Sequence, residues 1–347
     1  MHRQRYLALS SVFVLLAFVC QGCLEIETTS RVNTDGTILR TVVFKGDSSA
    51  IFGGNFPLPL DSTWHGDLQK AEEKKFVLTT TRLFRDVQEL NTALQGTKAK
   101  TLGVRVNLQR QFRWFYTTYQ YRETWLSFNP FRAVPITDYL SPGELDYFIR
   151  HEMKKEAYPT KGDSLALKDA SQRFEKWDDR NMFTVYFEAF LEGVKRLHDP
   201  FLTPTYVDGL KDSLFEESKK YFRAKNMDTV TVIFGRILKT RNVRKAMASN
   251  AEGFQRFDAE RGFLEKTIQN SYRTNVIMPG LVTGTNAPTL EGNKASWEDY
   301  IKFAYFGDID LWVESKVTNW WAITVTGIVA VVLLALSLLA VLRRQRS

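Results

Sequence analysis

The chain has 347 residues, with 47 Lys and Arg against 39 Asp and Glu, a formal net charge of +8, 44% hydrophobic residues and two cysteines. This composition excludes a disordered, collagenous or disulfide-rich protein, and the length allows one large domain or two ordinary ones. Arg3, Arg5, Arg343, Arg344 and Arg346 lie outside the two apolar end runs; taking these five from +8 leaves a nearly balanced body at +3. The pI near 9.3 is thus partly a topological signal, and no nucleic-acid partner is expected.

Residues 1–22 read as a signal peptide of the lipoprotein type. Arg3 and Arg5 precede an apolar run from Leu7 to Val19 that is too short to span a bilayer. Gly22-Cys23 supplies the small residue before cysteine that a lipobox requires, which makes Cys23 the expected lipidation (palmitate) site, although Cys20 and Gln21 stand where the pattern usually has Leu and a small residue. The other readings are an ordinary cleaved signal or an uncleaved anchor. No cysteine follows Cys23, so the body folds without disulfides and without thiol chemistry.

The next segment, expected to run over 23–136 as the first part of a β-rich extracytoplasmic domain, opens with the alternating Leu24-Glu25-Ile26-Glu27. Asp35-Gly36 between two β-prone runs predicts a hairpin, the second strand covering Ile38 to Phe44. Phe76 to Leu83 reads as a strand and Asp86 to Leu94 as a short helix. Leu102, Val104, Val106 and Leu108 alternate with polar residues as a half-buried strand does. Gln111 to Leu126 reads as one long aromatic strand. Its rings serve either as cross-strand pairs and core or as the wall of a lipid groove, for which Trp114, Tyr116 and Trp125 are the candidates.

Ser141-Pro142-Gly143-Glu144 is a capping box with Pro at the first helical position and opens a helical region expected over 137–274. Helical periodicity follows at Leu145, Phe148, Ile149 and Met153, at Leu167 to Trp177, at Met182 to Phe190, at Val207 to Phe222, and over Gly253 to Ile268. Val230 to Leu238 fits a strand or a helix. Lys154-Lys155, Lys195-Arg196, Lys219-Lys220, and Lys239, Arg241, Arg244 and Lys245 form basic clusters. They read either as solvated helix faces or as contacts to anionic lipid.

Strand patterns return over 275–318, the expected second part of the β-rich domain. Val276 to Thr285, Ala295 to Trp297 and Ile309 to Ser315 are separated by turn signals at Asn286-Ala287-Pro288 and Glu291-Gly292-Asn293. Residues 320–342 carry no charge; as a helix they span about 34 Å, enough for a hydrocarbon core of roughly 30 Å. Trp320 and Trp321 at one end and Arg343 and Arg344 in the basic tail 343–347 at the other mark the membrane interfaces, with the basic end cytoplasmic. The expectation is an α+β fold: a discontinuous β-rich domain, an inserted helical region and one C-terminal transmembrane helix. The body is expected outside a bacterial cytoplasmic membrane, and with Cys23 acylated it is tied to that membrane at both ends.

Gly22-Cys23, the Asn33-Thr34-Asp35-Gly36-Thr37 hairpin, Met278-Pro279-Gly280, Asn286, the Gly292-Asn293 turn leading to Trp297, and a terminal strand running into a membrane helix together resemble the LppM-like family of bacterial envelope lipoproteins. The resemblance covers the two β segments and the ends, not residues 137–274. It implies a membrane-tethered α+β module that binds lipid or lipoglycan, and carries over no catalytic residue.

No catalytic set emerges from the residues. His151-Glu152 begins like a zinc helix, but position 155 is Lys. His198 follows a helix end, where the dipole favours it. Asp178-Asp179 and Asp308/Asp310 are paired carboxylates with basic or strand neighbours. No cofactor and no metal are expected. The expected function is that of a non-enzymatic envelope protein with membrane lipid as partner, binding lipid or lipoglycan. The alternative is a scaffold that docks envelope proteins through the inserted helices, and a third, weaker reading is a hydrolase using His198 or the acidic pairs.

Overall fold

A computed structural model describes residues 24–53, 56–72, 75–95, 101–149 and 161–346. The signal segment, Cys23 and the His151-Glu152 pair lie outside the described residues. The fold is α+β, and the chain divides into two units: a β-rich one built from both ends of the sequence, and a helical one over Phe128–Ile268.

In the β-rich unit, β1 (Glu25–Val32) and β2 (Ile38–Asp47) form the expected hairpin. Gly36 takes φ +96° in its turn, a conformation that favours glycine. The Asp35 carboxylate accepts from both the backbone and the hydroxyl of Thr37 at 3.0 and 2.8 Å. A short helix α1 (Ser48–Phe52), strands β3 (His65–Glu72) and β4 (Lys75–Phe84), and helix α2 (Val87–Leu94) follow. Asp86 caps α2 by accepting from Glu89 N. Then come β5 (Val104–Phe112) and β6 (Tyr116–Trp125) and, after the helical unit, β7 (Ser271–Ile277), β8 (Leu281–Thr285), β9 (Thr289–Glu291), β10 (Lys294–Glu298) and β11 (Ile309–Thr318).

These strands make two sheets, ordered β3-β4-β2-β1-β7-β10-β9 and β5-β6-β11-β8. Early and late strands share both. β1 runs parallel to β7 from Glu25↔Ser271 onward, and β6 is antiparallel to β11 along its full length. Alternate residues of β1, β2, β6 and β11 turn inward, as the two-residue period requires. Ile26, Ile38, Val42, Phe44 and Phe84 from one sheet and Tyr119, Tyr121, Trp125, Leu311 and Val313 from the other are buried. One contact between the sheets is ionic: Arg40 of β2 meets Glu123 of β6 in a two-pronged pair at 2.9 and 3.0 Å, both side chains almost wholly buried.

The helical unit contains α3 (Pro142–Phe148), α4 (Lys161–Leu197), α5 (Pro204–Asp208), α6 (Lys211–Arg223), α7 (Met227–Ile237), α8 (Val243–Ser249) and α9 (Ala251–Gln269). The capping box at Ser141 and Glu144 is formed. The two periodic runs at Leu167–Trp177 and Met182–Phe190 join into one helix, α4, of 37 residues. Its buried Phe183, Tyr186 and Phe190 meet Phe215, Phe257 and Phe234 at ring distances of 5.1 to 5.4 Å. The ambiguous Val230–Leu238 segment is helical, its start fixed by the Asn226 side chain accepting from Thr229 N.

Three boundaries differ from the pattern-based expectation. Residues 128–136 belong to the helical unit, because Val134 O accepts from Trp177 Nε1 and Val134 N donates to Asn181 on α4. Residues 271–274 are strand rather than helix, since β7 pairs with β1 from Ser271. The aromatic run over 111–126 is not one strand. It turns at Arg113–Phe115, where Arg113 N donates to Tyr116 O at 2.8 Å.

β11 leads directly into α10 (Trp320–Arg346). Among the described residues this is the one helix long and apolar enough to cross a membrane, and its described apolar residues other than Ala322 are exposed.

Candidate membrane-interface site

The turn between β5 and β6 builds the most distinctive surface of the β-rich unit. Phe112, Trp114, Phe115 and Tyr116 are all exposed. β11 pairs with β6 so that Thr318 lies opposite Tyr116, which brings the turn beside the first turns of α10. Phe112 stacks on Trp321 at 6.3 Å with the planes 12° apart, and Trp114 meets the same indole edge-on at 5.4 Å. Trp114 Nε1 donates to Thr326 Oγ1 at 2.9 Å. Thr326 lies about 9 Å along the helix from Trp320 at 1.5 Å per residue. The aromatic turn therefore reaches more than one helical turn into the apolar segment.

Asn319 holds this arrangement together. It sits between β11 and α10, 9% exposed. Its Nδ2 donates to Arg113 O at 2.7 Å and its N to Phe115 O at 2.9 Å, while its Oδ1 accepts from Thr117 Oγ1 at 3.1 Å. Its own carbonyl accepts from Ala322 and Ile323 as the helix starts. A turn of Arg, Trp and Phe carries none of the usual turn residues, and the clamp that shapes it comes from the other end of the chain. The one local mark of this clamp is an Asn just before an apolar helix, where N-cap residues stand, and it is not among the residues singled out from the sequence.

Further residues join at the same end of the sheet. Leu281, exposed, starts β8 opposite Lys316. Lys316 Nζ lies over the Tyr116 ring at 5.1 Å, and Arg110 lies over Tyr119. Gly280, at φ +73°, leaves room for the Lys316 carbonyl; a Cβ there would approach it to 2.2 Å. The collar is thus aromatic rings and an exposed Leu rimmed by Arg113 and Lys316. Amphipathic rings and basic groups of this kind suit the headgroup layer of a bilayer.

The proposed groove of Trp114, Tyr116 and Trp125 is not assembled. Trp114 and Tyr116 are 48% and 38% exposed, whereas Trp125 is 0% exposed. Residues 116 and 125 differ by an odd number along one strand, so they face opposite ways, about 30 Å apart at 3.3 Å per residue. Trp125 is a core residue. Trp114 and Tyr116 instead share the collar with Trp320 and Trp321, which are 72% and 56% exposed. Helix α10 continues through Arg343 and Arg344, whose side chains, like Cys23, lie outside the described residues.

The polar residues considered for chemistry have structural partners. Asp179 pairs with Arg223. Asp310 accepts from Arg122 and from Thr124 Oγ1, and Asp308 from Ser127 N. His198 is positioned just past α4 at φ 52°, its Nδ1 2.8 Å from Arg196 O. Among the described residues no group of three His, Cys, Asp or Glu side chains is arranged to hold a metal ion.

The helical unit carries an open groove of about 690 Å³ between α4 and α6, where Lys176, Lys220 and Arg223 alternate with Glu175, Asp179 and Glu216. On the β-rich unit a smaller polar hollow of about 280 Å³ lies over the starts of β1 and β7. No protein-family model, curated protein or solved structure matches the chain.

Proposed function

We propose that the chain is a non-enzymatic, single-pass protein of a bacterial envelope whose β-rich unit is seated on the outer surface of the cytoplasmic membrane and engages its lipid there. Helix α10 is the anchor, with its basic end in the cytoplasm, and lipidation of Cys23 would supply a second, as the resemblance to the LppM-like lipoproteins implies. The observation that carries the reading is the hydrogen bond from Trp114 to Thr326 with the Trp321 contacts around it. A turn that reaches that far along a membrane-spanning helix must itself enter the headgroup layer. Lipid or lipoglycan would then be met by the collar of Phe112, Trp114, Phe115 and Tyr116 rather than within the sheet sandwich, whose interior is occupied by Trp125, Tyr119, Tyr121 and the Arg40–Glu123 pair.

The test is photocrosslinking. Phe115 of the full chain is replaced by p-benzoylphenylalanine and the protein is reconstituted in vesicles of phosphatidylethanolamine and phosphatidylglycerol. Lipid adducts at position 115 are expected, and they should decline when Trp114→Ala releases the turn from α10. Adducts to protein alone, or no adducts, would reject the seating.

A second reading is favoured by the charge-alternating groove of the helical unit, which suits a polar protein partner. Crosslinking from Lys176 and Lys220 to one reproducible envelope protein would support it, and recovery of background proteins alone would count against it.

A further inference from the structure

The helical unit presents a second hydrophobic element, unrelated to the collar. Phe201 is 90% exposed, the most exposed large apolar side chain among the described residues. It is nevertheless on a fixed loop. Asp199 accepts from the backbone of Phe201 at 2.9 Å and of Leu202 at 3.3 Å, Pro200 stiffens the step between them, and Leu202 is buried beneath. Thr203 then caps α5 by accepting from Tyr206 N. A Phe side chain left in water forgoes the gain of burial, and here the hydrogen-bonded loop holds it there.

The surroundings of Phe201 are basic. The other carboxylate oxygen of Asp199 accepts from Asn242 Nδ2 at 2.6 Å, which joins the loop after α4 to the loop before α8. That second loop and the first turn of α8 bring Lys239, Arg241, Arg244 and Lys245, all exposed. Lys245 is near enough to help hold the Asp199 carboxyl below its usual range, behind the larger effects of the Phe201 amide and Asn242. Arg244 faces Asp228 at 3.6 Å, and Lys195 and Arg196 face Glu192. Among the described residues Lys239, Arg241 and Lys245 have no carboxylate within salt-bridge distance. His198 is exposed beside them. The one acid at the centre, Asp199, is spent on the two loops.

We propose that this tip of the helical unit docks on an anionic lipid surface, Phe201 entering the acyl boundary while Lys239, Arg241 and Lys245 meet headgroup phosphates. An exposed aromatic on a loop bonded to a second loop that carries exposed cations has the chemistry of an interfacial membrane contact. A protein partner would call for a broader apolar patch around the Phe. The inference shares with the proposed function the premise that α10 anchors the chain in a bilayer, but it does not use the collar.

The experiment uses the full chain with p-benzoylphenylalanine at position 201, in vesicles of phosphatidylethanolamine with phosphatidylglycerol and in vesicles of phosphatidylcholine alone. Position 115 serves as a parallel probe. Lipid adducts at 201 are expected in the anionic vesicles only. The triple variant Lys239→Glu/Arg241→Glu/Lys245→Glu should lower their yield at least about tenfold, since each basic residue near an anionic surface contributes roughly a factor of five. All of these positions are solvent-exposed, so the fold is retained and circular dichroism checks it. Adducts at 201 to a protein or to a second copy, or none at all, overturn the inference. If 115 yields lipid adducts and 201 does not, the collar stands and the tip fails; if 201 alone yields them, the reverse holds.

Discussion

Replacing Glu123 tests what holds the two sheets together. Its carboxylate accepts three hydrogen bonds, two from Arg40 at 2.9 and 3.0 Å and one from the Tyr121 hydroxyl at 2.7 Å. Burial alone would lower the pKa of Arg40, but the charge and hydrogen bonds of Glu123 outweigh it and hold it above its ordinary value. The Tyr121 hydroxyl is pushed upward by its burial and by the same carboxylate. In Glu123→Leu the guanidinium keeps its charge and retains Ser30 Oγ, at 3.0 Å, as a partner. Breaking one half of a buried pair costs about 3–5 kcal/mol, whereas replacing both halves by apolar residues is often close to neutral. Hydrogen exchange of the β2 and β6 amides in the detergent-solubilised full chain is the assay, because it reads this unit separately from the helical one. Three kcal/mol corresponds to an exchange rate raised roughly 150-fold. Arg40→Met/Glu123→Leu should return most of that loss. Acceleration of less than about tenfold in the single variant, or a double variant as fast as the single, would refute the view that the pair is mutually compensating.

Three further outcomes follow from local geometry. Glu144 is held down to about 2 by its hydrogen bond to Arg173 and then by those to Ser141; being a depressed acid, its support for the start of α3 is complete above about pH 4.5 and is lost as the pH falls toward 2. Its titration, followed by carboxyl-carbon NMR, should move upward in Arg173→Ala; an unchanged midpoint would remove that assignment. Gly193→Ala should destabilise the helical unit by about 1–3 kcal/mol, because the new Cβ would meet the Ala246 carbonyl of α8 at 2.1 Å; an unaltered denaturation midpoint would mean the crossing relaxes freely. Asn319→Ala should loosen the aromatic turn by about 1–3 kcal/mol, leaving the Arg113 carbonyl without its donor, and faster exchange confined to residues 112–117 is the expected signature; uniform or absent change would show that the turn does not depend on the clamp.

The sequence carried the elements further than it carried the site. Asp35-Gly36, the Ser141 capping box and the uncharged stretch after Asn319 act locally, and each appears where its chemistry placed it. The α+β arrangement with both ends of the chain sharing a sheet was legible because strand periodicity stopped and resumed around a helical middle. The collar was not, because Arg113-Trp114-Phe115 has no intrinsic turn preference and is shaped by Asn319 through four long-range hydrogen bonds to residues 113–117. Trp114 and Trp125 looked alike as aromatics on one run. Only the location of the turn decides that one is surface and the other core. Glu123 and Arg40 were equally silent, since a charged residue within a strand ordinarily points to solvent. Nothing local in the sequence marks Phe201, because its loop is held by Asp199, which is bonded to Asn242 from a distant loop.

β11 has partners on both sides, β6 and β8, and passes into α10 through a single buried residue. No swivel separates strand from helix. The strand and helix therefore behave as one lever whose fulcrum is Asn319. With α10 in a bilayer, as proposed above, a change in its tilt would be delivered to the four-stranded sheet as torque instead of being absorbed in a flexible stalk. Under that proposal, membrane thickness would set the angle of the β-rich unit to the bilayer.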